Sequence, residues 1–172
     1  YKPLTNFSWS NKIKFSSKLK EIFELHLNQY EIENQISKSI KSISKVENQV
    51  SIKVRDQYEE NPYPRWVNLG LSIEPRNMMA VINDSDLNLD LKKISNSDSP
   101  EILIAGCGTG QHAITTASKY KKSKILALDL SFKSLSYAKR KANELKINNI
   151  DFIQGDILDL KSLDRKFDII ES

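Results

Sequence analysis

The pentapeptide Gly106-Cys107-Gly108-Thr109-Gly110 stands directly behind the apolar run Ile102-Leu103-Ile104-Ala105, and this junction constrains the fold more than any other segment. A turn so dense in glycine can reach backbone angles closed to residues with a Cβ. It also lets a ligand lie against bare amides at the start of the next helix. Ala113, Ile114 and Ala117 then share one helical face. The alternation continues with Ile125-Leu126-Ala127-Leu128, closed by Asp129, after which Ser131 is a fitting N-cap for a helix carrying Leu135, Ala138, Ala142 and Leu145 on one side. Asp151-Phe152-Ile153-Gln154 and Phe167-Asp168-Ile169-Ile170 read as a third and a fourth strand. Short apolar strands separated by helix-length segments predict an α/β fold over 101–172, a Rossmann-like, doubly wound parallel sheet covered on both faces.

Upstream the pattern differs. Between Phe15 and about Ser44, Leu19, Ile22, Phe23, Leu27, Ile36, Ile40 and Ile43 recur at three- and four-residue steps, which predicts an all-helical N-terminal region over 1–49. Residues 50–100 form a cover segment and linker. In it Tyr58-Glu59-Glu60-Asn61-Pro62-Tyr63-Pro64-Arg65-Trp66 carries two prolines that are expected to break any helix after about Gln57 and to hold the aromatics in extended backbone. Asn83 to Pro100, rich in Asp, Asn and Ser, reads as a loop. No internal repeat is visible.

Composition narrows the functional classes. No apolar run reaches the roughly 18 residues of a membrane span, and Tyr1-Lys2-Pro3-Leu4-Thr5 lacks the form of a leader, so a cytoplasmic protein is expected. The single cysteine, Cys107, lies between glycines, away from any His/Cys cluster, and supports neither a disulfide framework nor a metal site. The formal charge of +4 comes from 26 basic residues of which five are arginine, a balance that gives no clear nucleic-acid face. Lys139-Arg140-Lys141 reads as the exposed side of a helix, and His26 as structural or solvated.

Three elements carry chemistry. The glycine turn indicates a nucleotide-like cofactor, but a dinucleotide fingerprint would need its third glycine at position 111, which is Gln111. Asp129 ends the second strand, where a carboxylate can accept both hydroxyls of an adenosine ribose, or can act only on the dipole of the next helix. Gly155-Asp156-Ile157 follows the third strand, where Asp156 can take an adenine amine and the Ile157 amide can donate to a ring nitrogen.

Taken in order, these motifs resemble the first half of class I S-adenosylmethionine-dependent methyltransferases. The Tyr58–Trp66 string is similar to a stretch found in bacterial methyltransferases that often carry tetratricopeptide repeats. The resemblance implies S-adenosylmethionine as cofactor, held by Gly106, Cys107, Gly108, Gly110, Asp129, Leu130, Asp156, Ile157 and Glu171. It implies transfer of a methyl group to an acceptor whose identity is open, a small molecule by default, with a protein partner through the N-terminal helices as a further option. One position departs: the family commonly has an acid two residues before the first glycine, and here stands Ile104. Loop carbonyls, or Tyr63 and Arg65 folding over the site, could then serve the methionyl end, Arg65 by pairing with a carboxylate; equally, Arg65 could pack on Trp66 at the surface. His112, in the first turn of the following helix, can line the pocket. The resemblance also implies that the sheet continues past Ser172, so the 172 residues are expected to be an inactive fragment with an unpaired edge along Ile169 and Ile170. Two other readings stay open, an NAD(P)-dependent oxidoreductase and a non-catalytic methyltransferase-like interaction module.

Overall fold

The computed structural model describes residues 4, 7–12, 14, 16–72, 74–85 and 98–172. Most of the opening pentapeptide, Phe15 and the greater part of the Asn83–Pro100 loop lie outside the described residues. Among the described residues five parallel strands make one sheet: β1 (Lys41–Ser42), β2 (Glu101–Ala105), β3 (Lys124–Asp129), β4 (Ile150–Gln154) and β5 (Ile169–Glu171), in the order β1-β4-β3-β2-β5. The chain moves outward from β2 through β3 to β4, then returns to place β5 on the other side of β2. This reversal makes the carboxyl end of β2 a topological switch point, where open parallel sheets bind ligands.

The two central strands are apolar throughout because both their faces are covered. Ile102, Leu103 and Ile104 of β2 and Ile125 to Leu128 of β3 are all buried. On one face Ile102, Ile104, Ile125 and Ala127 pack against Ala113 and Ala117 of α5 (Gln111–Lys119), Leu135 of α6 (Phe132–Glu144), and Met78 and Ile82 of α4 (Met78–Asn83). On the other face Leu103, Leu126 and Leu128 meet Ile43, Leu160, Leu163 and Phe167, supplied by the 3-10 helix Ile157–Leu163 and flanking segments. Both helices expected after the first two strands form where the apolar spacing places them. Ser131 caps α6 by accepting from the Ser134 amide at 3.0 Å.

Two expectations for the N-terminal half are corrected. The helical region does not run to Ser44: α1 (Lys20–Phe23), a π-helical turn (Glu24–Asn28) and α2 (Gln29–Ser37) follow one another, and then the chain extends. Ile40 enters the core, and Lys41 and Ser42 pair with Ile153 and Gln154, covering an otherwise open edge of β4. Likewise α3 (Gln49–Glu60) continues three residues past Gln57, because a proline restricts only the residue directly before it. That residue, Asn61, has left the helix at φ −138° and ψ 86°. At the opposite edge β5 pairs with β2 alone among the described strands, and Ile170 is exposed. Among the described residues no helix is long and apolar enough to cross a membrane.

Candidate functional site

The glycine turn is built as its composition requires. Gly106, Gly108 and Gly110 all have positive φ, at 79°, 53° and 82°. A Cβ placed on Gly106 or Gly108 would project into open space, so at these positions the backbone is left bare to a ligand. Gly110 has a different reason: its Cβ would lie 2.4 Å from the Cβ of Ala138, so glycine there lets the start of α5 pass against α6. The turn is pinned to β3 by the Gly106 and Cys107 amides, which both donate to the Leu128 carbonyl at 2.8 and 2.9 Å. Cys107 is buried, and that burial pushes its thiol well above the usual range. Such a thiol is a poor nucleophile, in keeping with a role as a small side chain at the turn.

Asp129 stands at the end of β3, between the glycine turn and the turn after β4. One carboxylate oxygen accepts from the Gly108 amide at 2.8 Å and the other from Ser131 at 2.9 Å. Burial raises its pKa above the ordinary 3.8, against the opposing pull of the amides of Ser131, Gly108 and Leu130. Its own carbonyl accepts from Gly155 at 3.0 Å, and Asp129 is in register with Gln154, so Asp156 follows on the neighbouring strand end. Asp156 is buried, caps the 3-10 helix and accepts from the Leu158 amide at 3.0 Å. Ile157 is exposed beside it. The Leu130 carbonyl accepts from the side chain of Gln154 at 3.1 Å, and Gln154 in turn accepts from Ser42 of β1. Thus the glycine turn, Asp129 and Asp156 occupy consecutive strand ends in the order β2, β3, β4.

The cover segment closes the glycine side. The Trp66 indole N–H donates to the Thr109 carbonyl at 3.0 Å, and the Thr109 hydroxyl donates to the Pro64 carbonyl at 2.7 Å. The Tyr137 hydroxyl donates to the Trp66 carbonyl, and the ammonium of Lys141 lies 4.9 Å from the Trp66 ring centre. A cleft of about 470 Å³ opens between Tyr63, Pro64 and Leu69 on one wall and Cys107, Gly108, Gln111, His112 and Thr115 on the other. Trp66 and Thr109 were not singled out in the sequence. The signal available was that a buried tryptophan N–H needs an acceptor. Replacing Trp66 with Phe removes that donor and leaves the Thr109 carbonyl without it. The expected loss of about 1–3 kcal/mol should appear in urea denaturation, together with faster amide exchange at Gly108 and Gly110.

Other side chains fall elsewhere than expected. Arg65 turns away from the cleft and donates through both terminal nitrogens to Glu33, at 2.8 and 3.1 Å, between the rings of Tyr30 and Tyr137. It is therefore neither directed at a cofactor carboxylate nor packed on Trp66. Arg140, expected on an exposed face, is buried and donates to the same Glu33 at 2.9 Å, because α2 lies over that side of α6. Lys141 is held by Glu144 and the Val67 carbonyl. Ile104 is a core residue, and the residue in register with it on β5 is Glu171. The Glu171 carboxylate accepts from Thr116 at 2.8 Å and lies 2.9 Å from His112 Nε2.

Residues 102–172 match the methyltransferase domain family. Among curated proteins, the chain is 32% identical over 79 residues to a release factor glutamine methyltransferase of Rhodopirellula baltica, covering 45% of this chain and 27% of that one. It is 39% identical over 71 residues to a malonyl-[acyl-carrier protein] O-methyltransferase of Priestia megaterium, covering 41% and 24%. It therefore spans about a quarter of the length of these curated relatives. Among solved structures it resembles PKMT2 of Rickettsia typhi in complex with AdoHcy, at 36% identity and a TM-score of 0.39, over 42% of this chain and 14% of that one. It also resembles magnesium protoporphyrin IX methyltransferase of Synechocystis PCC 6803 with bound SAM, at 21% identity and a TM-score of 0.46, over 74% and 62%. With its ordered motifs on consecutive strand ends of a parallel sheet, the segment 102–172 resembles the class I S-adenosylmethionine-dependent methyltransferases.

Proposed function

We propose that this chain binds S-adenosylmethionine across the ends of β2, β3 and β4, and that the protein it belongs to transfers the methyl group to a small molecule seated in the cleft beneath Tyr63 and Pro64. The observation that carries this reading is the contiguity of the glycine turn, Asp129 and Asp156, joined by the Gly155 amide on the Asp129 carbonyl at 3.0 Å. In it the bare peptide of Gly106 and Gly108 lies under the methionyl and sulfonium end, Asp129 accepts the ribose hydroxyls, and Asp156 and the Ile157 amide meet the adenine. The donor set fits such a group: a carboxylate for a diol, a second acid for an amine, and open space where side chains would stand. When bound, the cofactor supplies a methyl group already activated by the positive sulfur, so the protein mainly positions the acceptor and excludes water. A small acceptor is favoured by the cleft's size, about 470 Å³ between the cover segment and α5. The curated relatives differ widely in what their names say they methylate, from a release factor to an acyl carrier protein.

Calorimetric titration of the full-length protein with S-adenosylmethionine and with NAD tests this. Binding of the first alone is expected. Binding of NAD alone would favour an oxidoreductase, and binding of neither a non-catalytic module. Asp129→Ala should weaken S-adenosylmethionine about 10- to 100-fold, the scale of a charge-assisted hydrogen bond of roughly 1.5–3 kcal/mol. The pH dependence follows from the raised pKa of Asp129. The ionised form accepts the hydroxyls, so affinity is full above the folded pKa and falls as pH drops through it, beginning above the ordinary 3.8. Binding then pulls that pKa down and releases protons under mildly acidic conditions, which titrations in two buffers of different ionisation enthalpy will read.

A further inference from the structure

Glu171, expected from the sequence beside the cofactor, forms a pair with His112 in the structure. Glu171 Oε2 lies 2.9 Å from His112 Nε2 and also accepts from the Thr116 hydroxyl at 2.8 Å, so the carboxylate is held from two turns of α5. His112 lines the cleft beside Gly108 and Thr115 and is half-exposed, whereas Glu171 is more enclosed. The 2.9 Å contact is made through Nε2, and with the proton on that nitrogen the imidazole carries its free lone pair on Nδ1. An oriented imidazole with a carboxylate behind it is the arrangement of a general base.

We propose that His112 is the proton acceptor of methyl transfer, that Glu171 is its positioning residue, and that the acceptor is a hydroxyl of phenol-like acidity on a flat, apolar body. This rests on the methyltransferase reading above. A carboxylic acid is already ionised near neutral pH and needs no base, so a built base points to a nucleophile that arrives protonated. The cleft that His112 lines also takes in Tyr63, Pro64 and Leu69, one aromatic and two apolar side chains against which a ring can pack. In the step, the hydroxyl proton passes to His112 Nδ1 and the oxygen's electron pair forms the new O–C bond. The C–S bond breaks toward sulfur, which leaves as a neutral thioether. The imidazolium that results is stabilised by Glu171. The other titratable groups at the cleft are Tyr63 and Cys107, and nearby Tyr120 has its pKa raised by burial and then by the Glu171 carboxylate.

The test uses the full-length protein with two probes at mildly alkaline pH: para-cresol, which remains protonated, and para-nitrophenol, which is ionised. Calorimetry with S-adenosylmethionine comes first, and failure of that binding sinks the methyltransferase reading itself. If the cofactor binds and neither phenol is methylated, the present proposal is overturned while the broader one stands. His112→Gln keeps a donor toward Glu171 and removes the base. It should lower kcat on para-cresol about 100-fold, and the loss should exceed that on para-nitrophenol by roughly tenfold or more. Glu171→Gln should give a smaller loss with the same bias, and should move the His112 imidazole resonances seen by NMR. Equal losses on both probes, or none, would show that the pair only ties β5 to α5.

Discussion

Glu33→Ala is expected to destabilise the protein by about 3–5 kcal/mol, the range for removing one partner from a buried ion pair. Glu33 is 6% exposed and Arg140 4%, and the carboxylate is shared between Arg140 and Arg65. Alanine would leave the Arg140 guanidinium buried with only Glu144 for charge, and would free Arg65 from the place it holds between Tyr30 and Tyr137. Because the same cluster carries α2, the cover segment and α6, the loss should not be confined to the N-terminus. Denaturation followed by the fluorescence of Trp66, 5.9 Å from the Tyr137 ring, should shift together with far-ultraviolet circular dichroism. A change below about 1 kcal/mol, the scale of an exposed pair, would show that the cluster is solvated. Glu33→Gln, which keeps hydrogen-bond acceptance but loses charge, should fall between wild type and Glu33→Ala.

The second large effect is at Gly110. Alanine there must adopt φ near 82° and bring its Cβ 2.4 Å from that of Ala138. The backbone strain costs about 1–3 kcal/mol and the overpacking a similar amount, so a loss of about 2–6 kcal/mol is expected. Combining Gly110→Ala with Ala138→Gly separates the two contributions. The double variant relieves the clash while keeping the left-handed backbone, at the expense of a glycine inside α6 costing roughly 1 kcal/mol. Partial recovery of thermal stability, with S-adenosylmethionine binding still weaker than wild type, is the predicted outcome. Full tolerance of Gly110→Ala alone would mean that the turn and α6 can move apart.

The C-terminal half was legible because its information is local. Buried parallel strands need unbroken apolar runs, a tight turn needs glycine, and a helix start needs a cap. Ile102–Ala105, Gly106–Gly110 and Ser131 state these needs within a few residues of where they act. What escaped was set by partners far away in the chain. Glu33 meets Arg140 across 107 positions, so nothing near Lys139-Arg140-Lys141 marks the middle residue as buried. Trp66 finds its acceptor at Thr109, 43 residues on. The strand Lys41–Ser42 exists only because β4 offers an edge to it, and its sequence has none of the alternation or β-branching by which strands are found. Arg65 illustrates the limit at the site itself: its position next to the aromatics was evident, but which anion it would meet depended on where α2 lay.

A Cβ on Gly155 would fall 2.4 Å from Ile43, whose side chain also covers Leu128 on the sheet's second face. Ser44 donates to Asp159 of the 3-10 helix at 2.9 Å, so residues 41–44 serve as a buttress under the turn that presents Asp156. A chimera that grafts residues 101–172 behind another protein's leading segment would lose this support. On the reading proposed above, the contact of Asp129 with the ribose should persist while that of Asp156 with the adenine loosens, so discrimination among purine bases should relax before affinity for the sugar does.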